Sequence, residues 1–156
     1  MIKLVRVDHR LLHGQVAFSW TNAVGADCIL IANDEVVNNE IQMTTLKLAK
    51  PHGTKLVIKN IEDSISALNS GVTDKYKLLI VIGSIDDANR LAKGYAGIKS
   101  INLGGIKAKE GTRMLSHTIN VLPEEEEILK EMMNRGLELE IRQVPTDKKV
   151  HVQNVI

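Results

Sequence analysis

Cysteine is almost missing from this chain: Cys28 is the single one in 156 residues. That excludes an intrachain disulfide and any multi-cysteine zinc or iron–sulfur site, and it fits a reducing compartment. Aromatics are scarce too. Phe18, Trp20, Tyr76 and Tyr95 are the only four, too few for a base-stacking surface or an aromatic sugar platform. No apolar run reaches the roughly 18–20 residues needed to span a bilayer. Residues 1–6 lack the long apolar stretch of a signal peptide. Neither sign of charge dominates: Lys+Arg 20 against Asp+Glu 19 leaves a net +1, so nothing pulls the whole molecule toward nucleic acid or an anionic membrane. Repeats, low-complexity blocks, a Walker A loop and a Gly-x-Gly-x-x-Gly fingerprint are all absent, which disfavours a nucleotide or dinucleotide cofactor.

What is present is an alternation. Short β-branched runs lie at residues 2–7, 28–32, 56–58, 78–82, 101–103, 118–122 and 137–144. Most are too continuous for half-exposed strands and read as strands covered on both faces, the habit of a parallel sheet. Between them the spacing predicts helices over 15–24, 34–50, 60–70, 84–93 and 123–135. The first follows Gly14 and stops at Gly25, and the second ends before Pro51. The fourth opens on Ser84 with Asp86 and Asp87 in its first turn, suited to the positive end of the helix dipole. The fifth has Pro123 first and Gly136 beyond its end, and its acid run Glu124-Glu125-Glu126-Glu127 reads as a solvated helix start. The length fits one domain of about 100–200 residues, taken as residues 1–156. The expected fold is α/β: a single-domain, doubly wound, mostly parallel sheet with helices on both faces. One antiparallel strand is expected at 118–122, because no clear helix joins it to the run before. Residues 148–156 read as a tail or a sheet-edge segment.

Ligands of such sheets sit at the carboxyl ends of the strands, which directs attention to residues 8–14, 33–34, 60, 83–84, 104–113 and 123–124. The first of these is the densest. Arg6-Val7-Asp8-His9-Arg10-Leu11-Leu12-His13-Gly14-Gln15-Val16 lies between strand one and helix one. Gly14 permits a tight turn. The following helix presents unpaired N–H groups and the positive end of its dipole to an anion. Arg6 and Arg10 add forked, charged donors. A histidine beside such a pocket is a candidate nucleophile toward phosphorus. His9 and His13, four apart, would share a helix face as metal ligands, but they fall in a loop with no third ligand nearby, so no metal is expected. Ser84 is either a phosphoryl-binding hydroxyl or a plain N-cap. The Gly104-to-Arg113 segment, with Lys107 and Lys109, is either a pocket rim or a solvated connection. His52, His117 and His151 stand apart and read as structural or exposed. Cys28 reads as a small core residue, and Met132-Met133 as helix packing.

The 6–16 segment closely resembles the signature around the phosphorylated histidine of the IIB component of the mannose/fructose/sorbose family of the bacterial sugar phosphotransferase system (PTS). The resemblance covers nearly the whole chain. Trp20 follows at the family's usual place. Asn33-Asp34-Glu35-Val36-Val37, Ala49-Lys50-Pro51-His52-Gly53, Asn102-Leu103-Gly104-Gly105 and residues 138–145 resemble its later landmarks. The resemblance implies a protein-histidine–sugar phosphotransferase that accepts a phosphoryl group from a IIA phosphoprotein. It then hands the group to a sugar translocated by membrane IIC and IID components. It implies His13 as acceptor, through Nδ1, and Arg10 as the residue stabilising the transferred group. Arg6, Asp8, Gly14, Gln15 and Ser84 would support the loop or the phosphoryl group, with Asp8 orienting an arginine or the loop backbone. His9 is the motif's variable position, a loop or interface residue. The resemblance also implies no cofactor and a cytoplasmic place at the inner face of the membrane. The sugar and the oligomeric state stay open. The other reading is a non-catalytic α/β regulatory or partner-binding module that keeps the loop.

Overall fold

Short apolar runs become strands and the segments between them become helices. In the computed structural model, which describes all 156 residues, the order is β1 (Ile2–Asp8), α1 (Gly14–Val24), β2 (Cys28–Ala32), α2 (Glu40–Ala49), β3 (Lys55–Lys59), α3 (Ile61–Ser70), β4 (Leu78–Ile82) and α4 (Ile85–Gly94). Then follow β5 (Ser100–Gly105), β6 (Arg113–Ser116), β7 (Ile119–Val121), α5 (Pro123–Asn134), β8 (Glu138–Ile141) and β9 (Val150–His151). Seven strands form one sheet in the order β3-β2-β4-β1-β5-β8-β9, parallel except at the β8–β9 edge.

β2 and β4 are apolar throughout because helices cover both faces. Leu30, Ile80 and Ile82 pack with residues of α3, α4 and α5, among them Ile61, Leu91 and Leu129. Ile29, Ile31, Leu79 and Val81 pack the other way, with Ala17 of α1 and Leu46 of α2. Toward β1, β5 and β8 this second face changes character. Val5, Val7, Ile101, Leu103, Leu139 and Ile141 still feed the first core. The alternate residues Arg6, Asp8, Asn102 and Glu140 turn to the α1 side and are buried there. Arg6 is in register with Asn102, and Asn102 with Glu140, so three neighbouring strands place polar side chains side by side under α1.

Four expectations change. The predicted helix at 34–50 starts late: Asn33 Oδ1 accepts the N–H groups of Glu35 and Val36, a short 3₁₀ turn spans Val36–Asn38, and Asn39 caps α2 at Gln42. Side-chain acceptors here outcompete helical bonds. The antiparallel strand expected at 118–122 does not join the main sheet. β7 pairs with β6 in a separate two-stranded hairpin, linked by an isolated Ile106–Ile119 bridge to the residue that follows β5. The antiparallel strand of the main sheet is β9, inside the segment read as a tail or edge. Residues 142–144 lie outside β8 because the chain turns there, with Val144 N–H bonded to Asp147. The acid run is also less solvent-directed than it reads: Glu125 accepts the Leu122 N–H at 2.8 Å and Glu126 pairs with Arg113.

Candidate functional site

β1 connects through α1 toward β2, whereas β5, its neighbour on the other side, connects toward β8. The crevice between diverging connections is where open α/β sheets take ligands, and the 8–14 loop fills it. Leu11 is the one non-glycine residue with positive φ, at +59°, a conformation costing a leucine about 1–2 kcal/mol. Burial of Leu11 and Leu12 in the α1–α2 core holds the loop there. Leu11 lies over Gly83, where a Cβ would stand 3.5 Å from its Cδ2. Gly14 takes φ +42° at the start of α1.

His13 is the N-cap of α1 but caps nothing with its side chain, and no acid lies in the first turn. The first helical bond runs from Ala17 N–H to His13 O, so the N–H groups of Gly14, Gln15 and Val16 precede the ladder and stay available. α2, α3 and α4 differ: Asn39, Asn60 and Ser84 close their ends.

Asp8 organises the loop from beneath. It is fully buried. Its Oδ1 accepts the Arg10 backbone N–H at 3.0 Å, and its Oδ2 faces Arg6 Nη2 and His13 Nε2, both at 3.1 Å. Burial pushes its carboxyl pKa up, but the Arg10 N–H, His13 and the Arg6 charge outweigh that and hold it below the ordinary carboxylate value. With Nε2 engaged by a carboxylate, a neutral His13 carries its proton there and leaves the Nδ1 lone pair unused. No protein group hydrogen-bonds Nδ1, and the ring is 24% exposed. A nucleophilic nitrogen thus stands at an uncapped helix N-terminus. The Arg10 side chain, 45% exposed, reaches the same carboxylate, with Nε 3.6 Å from Asp8 Oδ1.

Arg6 belongs to the interior and not to the anion-facing rim. It is 3% exposed, and Nη1 donates to Asn102 Oδ1 at 2.6 Å and to Arg142 O at 3.1 Å. Burial lowers its pKa and Asp8 opposes that shift. The chain makes room for it by omission: a Cβ on Gly104 would lie 2.0 Å from the Arg6 guanidinium carbon. Gly104→Ala is therefore expected to lower stability by about 1–3 kcal/mol, the usual cost of overpacking, as read by urea unfolding. A variant as stable as the parent would show that Arg6 yields freely.

Ser84 serves as an N-cap, its hydroxyl accepting the Asp87 N–H at 3.2 Å, and it makes no bond to His13. Gln15 is exposed. His9 is exposed, with Nδ1 3.9 Å from Asp8 Oδ1, too far for a hydrogen bond. Lys107 and Lys109 are exposed, and Arg113 is taken by Glu126. No group of three or more His, Cys, Asp and Glu side chains is arranged to hold a metal ion. Sequence reasoning missed Asn102, Glu140 and Arg142 as site-bearing residues. Their signal was alternation: Val5-Arg6-Val7-Asp8, Ile101-Asn102-Leu103-Gly104 and Leu139-Glu140-Ile141-Arg142 each place polar or small residues on one face of a strand that is apolar on the other.

The family described as PTS system sorbose subfamily IIB component matches residues 2–156. A probable phosphotransferase enzyme IIB component of Streptococcus pyogenes is 33% identical over 163 residues, covering 100% of this chain and 99% of that protein. The mannose-specific EIIAB component of Escherichia coli is 30% identical over 156 residues, and the chain spans about half of its length, 48%. Among solved structures, the IIBSor domain of the Klebsiella pneumoniae sorbose permease superposes with a TM-score of 0.93 at 27% identity, over 99% of this chain and 94% of that one. The N-acetylgalactosamine-specific IIB component 1 of E. coli gives 0.90 at 27% identity, over 96% and 98%. The chain belongs to the sorbose subfamily of PTS IIB components.

Proposed function

We propose that this IIB component carries a phosphoryl group on Nδ1 of His13, taking it from a phosphohistidine on a IIA partner and passing it to a sugar handled by membrane IIC and IID components on the cytoplasmic side. The observation that carries this reading is the pairing of His13 Nε2 with Asp8 at 3.1 Å, which leaves Nδ1 outward at an uncapped helix end. In the first step the Nδ1 lone pair attacks phosphorus, the donor's N–P bond breaks, and the donor ring leaves with that electron pair. In the second a sugar hydroxyl oxygen attacks, the Nδ1–P bond breaks with its electron pair returning to Nδ1, and the hydroxyl proton passes to solvent. Charge on the moving phosphoryl oxygens is met by the free N–H groups of α1 and by Arg10, as electrostatic stabilisation of phosphoryl transfer requires. The E. coli relative is named EIIAB, which supports a IIA partner. The names of other relatives point to mannose, sorbose and N-acetylgalactosamine, which keeps the sugar class open among hexoses and amino sugars.

Incubation with a phosphorylated IIA donor tests the reading. The protein is expected to gain the mass of one phosphoryl group, through a linkage labile to acid and stable to alkali. An unchanged mass, or an acid-stable adduct, refutes it. The non-catalytic alternative is not favoured. A buried ion pair is a poor source of stability, so the Arg6–Asp8–His13 arrangement calls for a role other than holding the fold.

Arg10 gives a separable prediction. What ties it to Asp8 is its backbone N–H, which Arg10→Ala retains, and exposed ion pairs contribute little to stability. Loss of a charge-assisted donor of about 1.5–3 kcal/mol is expected to slow transfer roughly ten- to hundredfold while thermal unfolding moves little. Equal losses of activity and stability would count against the role.

A further inference from the structure

The polar layer beneath α1 is closed by one aromatic ring. Trp20 stands seven residues after His13, close to two full turns, so the two residues lie on the same side of α1. The indole is buried. The guanidinium carbon of Arg6 is 5.4 Å from its ring centroid and that of Arg142 is 4.9 Å away. Its Nε1–H donates to Gln143 O at 2.8 Å. The preceding carbonyl, Arg142 O, accepts from Arg6 Nη1 and from Asn102 Nδ2, each at 3.1 Å. Trp20 therefore holds Arg6 twice: directly through the ring, and indirectly by pinning the 142–143 backbone on which Arg6 rests. On the far side the guanidinium lies against Gly104, where a Cβ would stand 2.0 Å from its central carbon.

We propose that Trp20 is a positioning residue for His13, setting which ring nitrogen faces outward by fixing Arg6 and, through it, the Asp8 carboxylate. The link is one shared atom: Asp8 Oδ2 contacts both Arg6 Nη2 and His13 Nε2. When the indole is lost, the guanidinium moves into its space and the carboxylate follows its charge. His13 then loses the acceptor for its Nε2–H. A neutral imidazole without that acceptor distributes its proton between Nδ1 and Nε2, and the Nδ1-protonated form has no lone pair to offer outward. Cations against aromatic faces are common enough as packing. What distinguishes this ring is that one of its two cations touches the carboxylate that touches His13. The inference rests on the phosphocarrier reading for its consequence, though not for its first measurement.

That measurement is the tautomer of His13, read from two-bond proton–nitrogen NMR of the ¹⁵N-histidine-labelled full chain across a pH titration. The parent is expected to show the Nε2–H form. Trp20→Leu is expected to show both tautomers, and Trp20→Phe, which keeps a ring face for Arg6, to return to the Nε2–H form. Leu68→Ala, a comparable insult to the core on the opposite face of the sheet, separates positioning from general destabilisation and is expected to leave the tautomer native. Phosphoryl uptake by Trp20→Leu should fall by about tenfold or more, the direction in which a wrong tautomer works. A native tautomer signature in Trp20→Leu, or mixed tautomers in Leu68→Ala, overturns the proposal. Should Trp20→Leu not fold, Gly104→Ala displaces the Arg6 guanidinium from its other side, since the new Cβ would stand 2.0 Å from its central carbon, and mixed tautomers are again expected. A native signature there breaks the link from Arg6 to His13 and overturns the proposal equally. If His13 is labelled by a phosphorylated donor but its tautomer ignores Trp20, this inference fails alone. If the tautomer responds but no variant or parent is ever labelled, the phosphocarrier reading fails and the positioning stands.

Discussion

A His13→Ala variant is expected to take up no phosphoryl group from a phosphorylated IIA donor, whereas His9→Ala is labelled like the parent. The loss should be complete and not partial, because a covalent acceptor has no substitute once its nitrogen is gone. His9 is the obvious rival, one residue past Asp8 in the same loop, but the geometry separates the two. His9 Nδ1 is 3.9 Å from Asp8 Oδ1, so no hydrogen bond selects its tautomer. Its backbone N–H is bound to Gly105 O at 2.9 Å, on the β5 side, away from the N-terminus of α1. Folding should survive the His13 change. The bond lost is a single, partly exposed one, worth about 0.5–1.5 kcal/mol, and Asp8 keeps Arg6 and the Arg10 N–H. Intact-mass spectrometry after incubation reads both variants, with thermal unfolding as the control. Full labelling of a folded His13→Ala protein would refute the assignment.

The parts of this molecule that were legible before its structure are those where one force decides. β2 and β4 are continuous apolar runs because two helix layers bury them, and the predicted bounds 28–32 and 78–82 are the observed ones. α3 and α4 carry their own punctuation, Asn60 and Gly71 at the two ends of the first and Ser84 at the start of the second, and lie within a residue of their predicted spans. Where local and tertiary preferences compete, the reading slipped. Residues 34–39 have the pattern of a helix start, yet Asp34 spends its carboxylate on the Ile61 N–H and on Arg90. Asn33 meanwhile draws in the next two N–H groups. The β6–β7 hairpin has strands of four and three residues, too short for a period of two to declare itself, and Met114 is exposed where a core residue would have marked a strand.

The candidate site divides the same way. Its outward half is contiguous in sequence, since one loop holds Asp8, Arg10, His13 and Gly14. Its inward half is not: Arg6, Trp20, Asn102, Gly104 and Arg142 meet only because β1, β5 and β8 are neighbours in register. Arg6, two residues from Asp8, reads from the sequence as a support either of the loop or of the phosphoryl group, and only the pleat shows that position 6 faces α1 from below, where it holds Asp8. The alternation visible in three strands was the available clue. It marks a sheet face that is not filled by aliphatic packing and therefore has polar work to do.

Asp8→Asn is expected to cost about 3–5 kcal/mol of stability, the range for breaking a buried ion pair by removing one partner, because Arg6 then stays buried without a counter-ion. An amide fits the space but not the donors. Both carboxylate oxygens now accept, Oδ1 from the Arg10 N–H and Oδ2 from Arg6 and His13, so either orientation of the new NH₂ opposes a donor. Placed at Oδ2 it confronts Arg6 and drives the His13 proton toward Nδ1. Placed at Oδ1 it confronts the Arg10 N–H and opens the turn that shapes the loop. Either outcome should slow phosphoryl transfer by about two orders of magnitude or more, well beyond any fraction of protein unfolded. Acid offers a second readout. Burial raises the Asp8 pKa, but the Arg10 N–H, His13 and Arg6 bring it below its ordinary value, whereas the unfolded chain should titrate near ~3.9. A depressed folded pKa gives stability that is fully present above the unfolded value and is lost as pH falls through the folded one. The parent's unfolding free energy should therefore drop as pH is lowered below about 4. Asp8→Asn, starting lower, should show a flatter acid limb, so that the two converge. Parallel acid limbs in urea titrations of parent and variant would show that the carboxylate is not held by the contacts described, and with that the tether on His13 would be gone.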